Sequence, residues 1–173
     1  NSLPFLTIAV VNGNTYGGGL GLICSCDIAI CQPDSQFCFS EVKLGLIPAT
    51  ISPMVVDAIG LRQARRFLLS AEPITAEQAR QIGLVHEIIS AEHLEHWIAQ
   101  KTHYLQQNCP HAVAHCKHLL QQLPAMDSAQ KRNTYTSEQL ADRRVSPSAQ
   151  AGIHAFLNKQ AAPWAVPLKG KGQ

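Results

Sequence analysis

The sequence has 173 residues, of which 46% are hydrophobic and 15% charged, with a formal net charge of +2. This length predicts one compact domain, and the apolar fraction is too high for an intrinsically disordered chain. The small net charge, with no stripe of lysine and arginine, argues against a nucleic-acid-binding protein. No apolar run reaches the roughly 20 residues that a membrane-spanning helix needs.

The first forty residues alternate short apolar runs with turns. Residues 6–11 are rich in β-branched side chains and predict a buried strand that ends at Asn12-Gly13. Residues 17–19 are three consecutive glycines, and the apolar LGLICSC that follows predicts a helix. Residues 27–31 and 36–39 predict two more strands, separated by the turn residues Pro-Asp-Ser.

The middle and the end of the chain are predicted to be mainly helical. Pro48 lies at or just before a helix that Gly60 ends, and the run RQARRFLLS predicts a second short helix. Thr75 and Gln78 have the spacing of a capping box and begin a third. A strand over 84–89 and four helices follow, at about 91–107, 110–122, 127–143 and 146–158.

The cysteines and the start of the chain bear on its environment. A chain of this size does not need disulfides, so we expect reduced, buried thiols and a cytoplasmic location. The start, NSLPFLTIAVVNG, lacks the basic segment and cleavage site of a signal peptide. It also lacks an initiator methionine, so we expect the chain to be a piece of a longer polypeptide. The six cysteines are unevenly spaced, without a CxxC pair, at Cys24, Cys26, Cys31, Cys38, Cys109 and Cys116.

The triple glycine is the first candidate site. Its spacing does not fit the glycine fingerprint of dinucleotide-binding proteins, because the sixth position is Leu22 or Cys24. A glycine turn before a helix exposes backbone N–H groups next to the positive end of the helix dipole, where they can stabilise an oxyanion. The alternative is that the glycines only allow the helix to pack closely on the sheet.

Glu41 is the second candidate. It lies in the apolar stretch FCFSEVKLGLIP, where burying an uncompensated carboxylate is costly. A carboxyl group in such surroundings suits proton transfer near neutral pH. The alternative is a carboxylate at the rim of the fold that pairs with Lys43.

Three histidines form a weaker candidate. His111, His115 and His118 share one face of a predicted helix, and three imidazoles on one stripe can bind zinc. However, no acidic residue lies on that stripe, and the pattern is that of an ordinary amphipathic helix. We therefore predict no metal site.

Together these motifs resemble the enoyl-CoA hydratase/isomerase (crotonase) superfamily. The resemblance covers nearly the whole chain and is carried by AVVNGNTYGGGLGLICSCDIAI, FSEVKLGLIP, ITAEQARQIGLVHEII and AFLNKQAAPW. It implies an α/β fold with a ClpP-like spiral of ββα turns in residues 1–89, followed by a helical trimerisation region in residues 90–173. The form SEVKLGLIPATISP is most similar to bacterial hydratases of the methylglutaconyl-CoA type, which act in branched acyl-CoA breakdown.

The resemblance also implies roles for individual residues. Gly18, the middle glycine, would donate its N–H to the thioester oxygen and stabilise an enolate, and Glu41 would be the acid/base. Lys159 matches a tail lysine that reaches the phosphates of coenzyme A. The residues expected to bind substrate are Tyr16, Gly17, Pro48, Ala49, Phe156 and Lys159.

The sequence departs from the family at two positions. Hydratases with two carboxylates carry a first Glu where this chain has Gly21, and Ala49 replaces the glycine usually found after the LGxIP segment. The loss of that Glu removes half of the usual water-activating pair and favours isomerisation by a single carboxylate. The family's N-terminal portion, which carries the second oxyanion donor, does not precede NSLPFLTIAVVNG here, so we expect the C-terminal part of a crotonase.

We therefore predict an enoyl-CoA hydratase that adds water to a 2-enoyl-CoA thioester. The alternatives are an enoyl-CoA isomerase that uses Glu41 alone, and a non-catalytic fragment that binds acyl-CoA or assists assembly. The expected partners are an acyl-CoA substrate and further copies of the chain in a homotrimer or hexamer. No separate cofactor is expected, because coenzyme A is part of the substrate, and neither nucleic acid nor a membrane is an expected partner.

Overall fold

The computed structural model describes residues 2–166, which form two compact units. The first unit contains Leu6–Trp97, and the second joins Ser2–Phe5 to residues 98–166. The boundary expected at residue 89, between a spiral core and a helical trimerisation region, stays a prediction. Within residues 2–166, no helix is both long enough and apolar enough to cross a membrane.

The first unit contains two small three-stranded sheets. In one sheet β1 and β6 flank β3 and all strands are parallel, whereas in the other β4 pairs parallel with β2 and antiparallel with β5. The strands are β1 (Ile8–Val11), β2 (Thr15–Tyr16), β3 (Ile28–Cys31), β4 (Gln36–Cys38), β5 (Ile74–Thr75) and β6 (Glu87–Ile88).

A side-chain clasp fixes the register of β1 on β3. The backbone N–H and the hydroxyl of Thr7 both donate to Asp27 Oδ2, at 2.7 and 2.8 Å. The N–H of Asp27 in turn donates to the Thr7 carbonyl oxygen at 3.1 Å. Because both residues immediately precede their strands, the clasp places Ile8 opposite Ile28.

Three helices complete the first unit, and their ends follow the sequence signals. They are α1 (Gly18–Ser25), α2 (Ser52–Ser70) and α3 (Ala76–Gln81). The predicted stop at Gly60 is confirmed as a kink inside α2, where φ is +74° and the backbone is not helical. The capping box is also confirmed: Thr75 Oγ1 accepts from Gln78 N at 3.2 Å, and Thr75 N donates to Gln78 Oε1 at 3.0 Å.

A single apolar core holds α1 and α2 against the strands. Seventeen buried residues form one contiguous cluster, and its largest fully buried side chains are aromatic or branched aliphatic. The burial of such side chains is the main favourable contribution to folding. The fully buried members include Leu20 on α1, Phe37 on β4, Phe39 just after it, and Val55 and Phe67 on α2.

The predicted strand over 84–89 is confirmed at β6, where the flanking N–H groups of His86 and Ile89 also donate to the Ala29 and Cys31 carbonyl oxygens of β3, and it is wrong at residues 84–85. The reason lies in the hydrogen bonds of Leu84 and Val85, whose N–H groups both donate to the carbonyl oxygen of Ala79 at the end of α3. Groups committed to closing a helix end cannot also join a sheet ladder. Both side chains are nevertheless buried.

The C-terminal half is helical, as predicted, and the helix boundaries agree within two residues. Serine side chains begin two of these helices: Ser128 accepts from Lys131 N and Ser146 from Ala149 N. The helices are α4 (Ala91–Gln106), α5 (Pro110–Gln122), α6 (Ala129–Arg144) and α7 (Pro147–Leu157), with a short 3-10 helix at Leu123–Ala125.

Candidate active site

The glycine turn joins β2 to α1 and places Gly17 in a conformation that side chains rarely adopt. Gly17 has φ +51° and ψ −123°, and its N–H donates to the carbonyl oxygen of Cys38 at 3.1 Å. That hydrogen bond extends the pairing of β2 with β4, in which Tyr16 lies opposite Cys38. The strand pairing therefore fixes the backbone at the point where α1 begins.

Gly18 is the first residue of α1, so its N–H is one of the first-turn donors that have no acceptor within the helix. The residue is exposed, and an ideal Cβ built on it would have no other protein atom within 4 Å. Gly18 thus combines a backbone donor with open space beside it. This is the geometry that an oxyanion-binding turn requires.

Glu41 begins a 3-10 helix, Glu41–Leu44, that the sequence did not predict. Gly45, with φ +72°, ends this turn, and the N–H of Leu46 donates back to the Glu41 carbonyl oxygen at 3.1 Å. The Oε2 atom of Glu41 is buried and has no hydrogen-bond partner. Burying a carboxylate oxygen without a hydrogen-bond partner costs free energy, so such a group calls for an explanation, and a catalytic role is one.

The alternative pairing of Glu41 with Lys43 is wrong. Across residues 2–166 no ion pair joins the two side chains. The Lys43 ammonium lies instead 3.9 Å from the sulfur of Cys38.

The Glu41 carboxyl group lies beside Gly17, on the side where a side chain at position 17 would stand. An ideal Cβ on Gly17 would lie 3.2 Å from Glu41 Oε1 and 3.6 Å from the carboxyl carbon. The contact brings the carboxyl group next to the residue that precedes Gly18. The structure therefore places the candidate proton carrier and the candidate oxyanion donor at the same turn.

Gly21 lies on the buried side of α1, against the start of α2. An ideal Cβ on Gly21 would lie 2.3 Å from Ile51 Cγ2 and 2.9 Å from Ile51 Cβ. Ile51 is itself buried and precedes the first residue of α2. Any side chain at position 21, including a carboxylate, would have to displace Ile51.

The other residues of the first unit predicted to bind substrate are Tyr16, Pro48 and Ala49. The Pro48 carbonyl oxygen accepts from Ile51 N and Ser52 N, at 3.2 and 3.0 Å, and so closes the turn that begins α2. Ala49 and Tyr16 are exposed. The apolar stretch after Glu41 is less buried than the sequence indicated, since Leu46 and Ile47 are 60% and 76% exposed.

Phe156 and Lys159 belong to the second unit. Phe156 is an exposed residue of α7. Lys159 follows that helix with φ +54°, and its N–H donates to the Phe156 carbonyl oxygen at 3.1 Å. The substrate-binding roles assigned to both residues stay predictions.

The three histidines on α5 are all exposed. In the described part of the chain, no group of three or more His, Cys, Asp or Glu side chains is arranged to hold a metal ion.

All six cysteines are free thiols, but the expectation that they are buried holds only for Cys31 and Cys38. The others are half-buried or, at Cys116, exposed. Burial raises the pKa of Cys24 from 9.0 to about 11. Burial, together with the negative charge of Glu77, raises the pKa of Cys31 to about 11 as well. Both groups are therefore neutral thiols at physiological pH, and they are poor nucleophiles.

Two residues of the site were missed at the sequence level. Cys38 fixes Gly17 through its carbonyl oxygen, and Ile51 fills the space beside Gly21. Both contacts join residues more than twenty positions apart, so no local pattern could have indicated them.

Comparison with known proteins gives a consistent family. The chain matches the family model for enoyl-CoA hydratase/isomerase over residues 1–167. It is 40% identical to the enoyl-CoA hydratase ACTT6 of Alternaria alternata over an aligned segment of 118 residues. That segment covers 68% of this chain.

Solved structures are similar as well. An enoyl-CoA hydratase from Shewanella pealeana is 42% identical, with a TM-score of 0.89 over 94% of this chain. An enoyl-CoA hydratase/isomerase from Marinobacter aquaeolei is 34% identical, with a TM-score of 0.88 over 95% of this chain.

The chain spans only part of each of these proteins. It covers 40% of the Alternaria hydratase, 61% of the Shewanella protein and 62% of the Marinobacter protein.

Proposed function

Because this chain belongs to the enoyl-CoA hydratase/isomerase family, we propose that it carries the acid/base residue and one oxyanion donor of an enoyl-CoA hydratase. The reaction adds water across the double bond of a 2-enoyl-CoA thioester. The relatives named enoyl-CoA hydratases support this assignment, as does the meeting of Glu41 with the glycine turn.

In this proposal, the N–H of Gly18 donates to the thioester oxygen of the substrate. As water attacks the β-carbon, negative charge moves onto that oxygen and an enolate forms. A fixed backbone donor stabilises the developing charge without having to reorganise, which is why oxyanion sites contribute strongly to rate. The open space beside Gly18 leaves room for the thioester.

Glu41 is the proton carrier in this proposal. Its carboxylate takes a proton from the attacking water and returns a proton to the α-carbon of the enolate, so that one H and one OH are added overall. The buried, unpartnered Oε2 supports the role, because this oxygen has no competing hydrogen bond to give up.

The observation that carries the proposal is the contact between Glu41 and Gly17, the residue before Gly18. Its test is the absorbance of a conjugated 2-enoyl-CoA incubated with the complete protein. Hydration removes the conjugation, so the absorbance should fall, and product formed in ¹⁸O-labelled water should carry the label. Unchanged absorbance and unlabelled product would contradict the proposal.

The second candidate function is enoyl-CoA isomerisation, in which one carboxylate moves a proton between two carbons of the acyl chain. The packing of Gly21 against Ile51 favours it, because it leaves no room for a second carboxylate at position 21. The same assay distinguishes the two reactions. An isomerase would create conjugation from a 3-enoyl-CoA and would add no solvent oxygen.

We also propose a branched acyl chain of the methylglutaconyl type, as the SEVKLGLIPATISP stretch favours. The rest of the proposal is a homotrimer or hexamer in the cytoplasm, with no separate cofactor. Exposed apolar residues on the helices, such as Leu140 and Leu157, support assembly. Light scattering of the complete protein at micromolar concentration should give three or six copies, and a monomer would contradict this part of the proposal.

A further inference from the structure

We propose that Gly17 is a positioning residue for Glu41: the missing side chain at position 17 sets where the carboxyl group lies relative to the N–H of Gly18. This inference rests on the proposed role of Glu41 as the proton carrier. It gives Gly17 a function distinct from substrate binding, because Gly17 would act through Glu41.

The first argument is the space between the two residues. A Cβ on Gly17 would lie 3.2 Å from Glu41 Oε1, which is closer than the ordinary van der Waals separation of about 3.5 Å or more. A methyl group would therefore push the carboxyl group away by a few tenths of an ångström. Oε1 contacts the turn, and Oε2 is the oxygen left without a hydrogen bond.

The second argument is that neither backbone can easily give way. The Gly17 N–H is held by the Cys38 carbonyl oxygen at 3.1 Å, and β2 is paired with β4 just before it. Glu41 follows Cys38 by three residues and begins a turn closed by hydrogen bonds, including Leu46 N to Glu41 O. A clash would consequently be relieved by movement of the Glu41 side chain.

The third argument is the position of Gly17 in the chain. It lies directly before Gly18, so a displacement of the Glu41 carboxyl group away from Gly17 would also change its separation from the Gly18 N–H. Small misplacements of a catalytic group are expensive, and a shift of about 1 Å can cost about a hundredfold in rate. A shift of a few tenths of an ångström should thus cost about three- to tenfold.

The kinetic test compares Gly17→Ala with Gly60→Ala in the complete protein. Both glycines have positive φ with ψ outside the left-handed helical region, where a side chain is strained, but a Cβ on Gly60 would contact nothing within 4 Å. Gly60 lies at the kink inside α2 rather than in the Glu41 turn, which makes it the control for backbone strain. Gly17→Ala should lower kcat about three- to tenfold and leave KM within about twofold, whereas Gly60→Ala should change neither by more than about twofold. Equal losses in the two variants would overturn the proposal.

A shorter carboxylate provides the rescue experiment. In a Glu41→Asp background the carboxyl group is withdrawn by one methylene, so adding Gly17→Ala should cost less than about twofold in kcat. Independent, multiplying losses from Gly17→Ala and Glu41→Asp would mean that Gly17 does not act through Glu41.

Thermal unfolding tests the same contact without any assay of activity. The backbone conformation of Gly17 strains any side chain. Gly17→Ala should therefore lower the melting temperature both in the wild-type protein and in a Glu41→Ala background. The loss should be smaller when Glu41→Ala has removed the carboxyl group. Equal losses in the two backgrounds, or failure to fold in both, would overturn the proposal.

The two outcomes separate the inference from the function on which it rests. If no enoyl-CoA is turned over by the unmodified protein, the proposed function fails, and the unfolding experiment still reports on the contact. If turnover is present but Gly17→Ala behaves like Gly60→Ala, only the positioning role fails.

Discussion

Ile51 occupies the space on α1 that a side chain at position 21 would need, with its Cγ2 atom 2.3 Å from an ideal Cβ on Gly21. Both residues are buried, and the contact joins the first turn of α1 to the start of α2. The core packing therefore leaves no room for a carboxylate side chain at position 21. Restoring one would require changes in two helices.

This packing predicts how Gly21→Ala affects stability. Overpacking a core typically costs about 1–3 kcal/mol, so the variant should be destabilised by that amount in urea unfolding. In an Ile51→Gly background both clashing atoms are gone and the nearest remaining atom, Cα of residue 51, is 3.7 Å away. The same change should then be neutral or stabilising by up to about 1 kcal/mol, because alanine favours helix over glycine. A stabilising Gly21→Ala in the wild-type background would contradict the observed packing.

A side chain at Gly18 should affect activity more than folding. A Cβ there meets no protein atom within 4 Å, so Gly18→Val should keep a native circular dichroism spectrum. In the proposed mechanism the valine would crowd the thioester oxygen beside the residue-18 N–H, and loss of one oxyanion donor costs about 10²–10³ in rate. A folded Gly18→Val protein with wild-type turnover would refute the oxyanion role.

The two perturbed cysteines predict a loss of stability in alkali. Each has a pKa of about 11 in the folded protein against an ordinary 9.0, so the folded state holds its protons more tightly than the unfolded state. Below about pH 9 both thiols are protonated in the folded and the unfolded state, so their titration should not change the free energy of unfolding. Between about pH 9 and 11 the free energy of unfolding should fall, because the thiols ionise in the unfolded state first.

Urea unfolding from pH 7 to 11 would check this prediction. Replacing Cys24 and Cys31 by alanine should flatten the alkaline decline, and the exposed Cys116→Ala provides the matched control. An equally steep decline in the variant that lacks the thiols of Cys24 and Cys31 would show that other groups are responsible.

Much of the fold was predictable because it depends on local signals. The four helices of the C-terminal half begin at residues such as Pro110 and Pro147 and end near the predicted positions. The capping box at Thr75 and the break at Gly60 are likewise properties of a few adjacent residues. Such signals do not depend on the rest of the structure.

The parts that escaped prediction depend on distant contacts. β2 and β5 contain two residues each, which is too short for any periodicity, and they exist because β4 lies between them. The sequence indicated a glycine turn and an important Glu41. Which glycine touches the carboxyl group is decided by the pairing of Tyr16 with Cys38.

The most direct test of the central claim is the hydration rate of a 2-enoyl-CoA by the complete protein carrying Glu41→Gln. The amide keeps the size of the side chain but cannot carry the proton, so the rate should fall by about 10²–10⁴. Glu95→Gln, an exposed position on α4, is the matched control and should keep wild-type activity. Wild-type hydration by the folded Glu41→Gln protein would contradict the account.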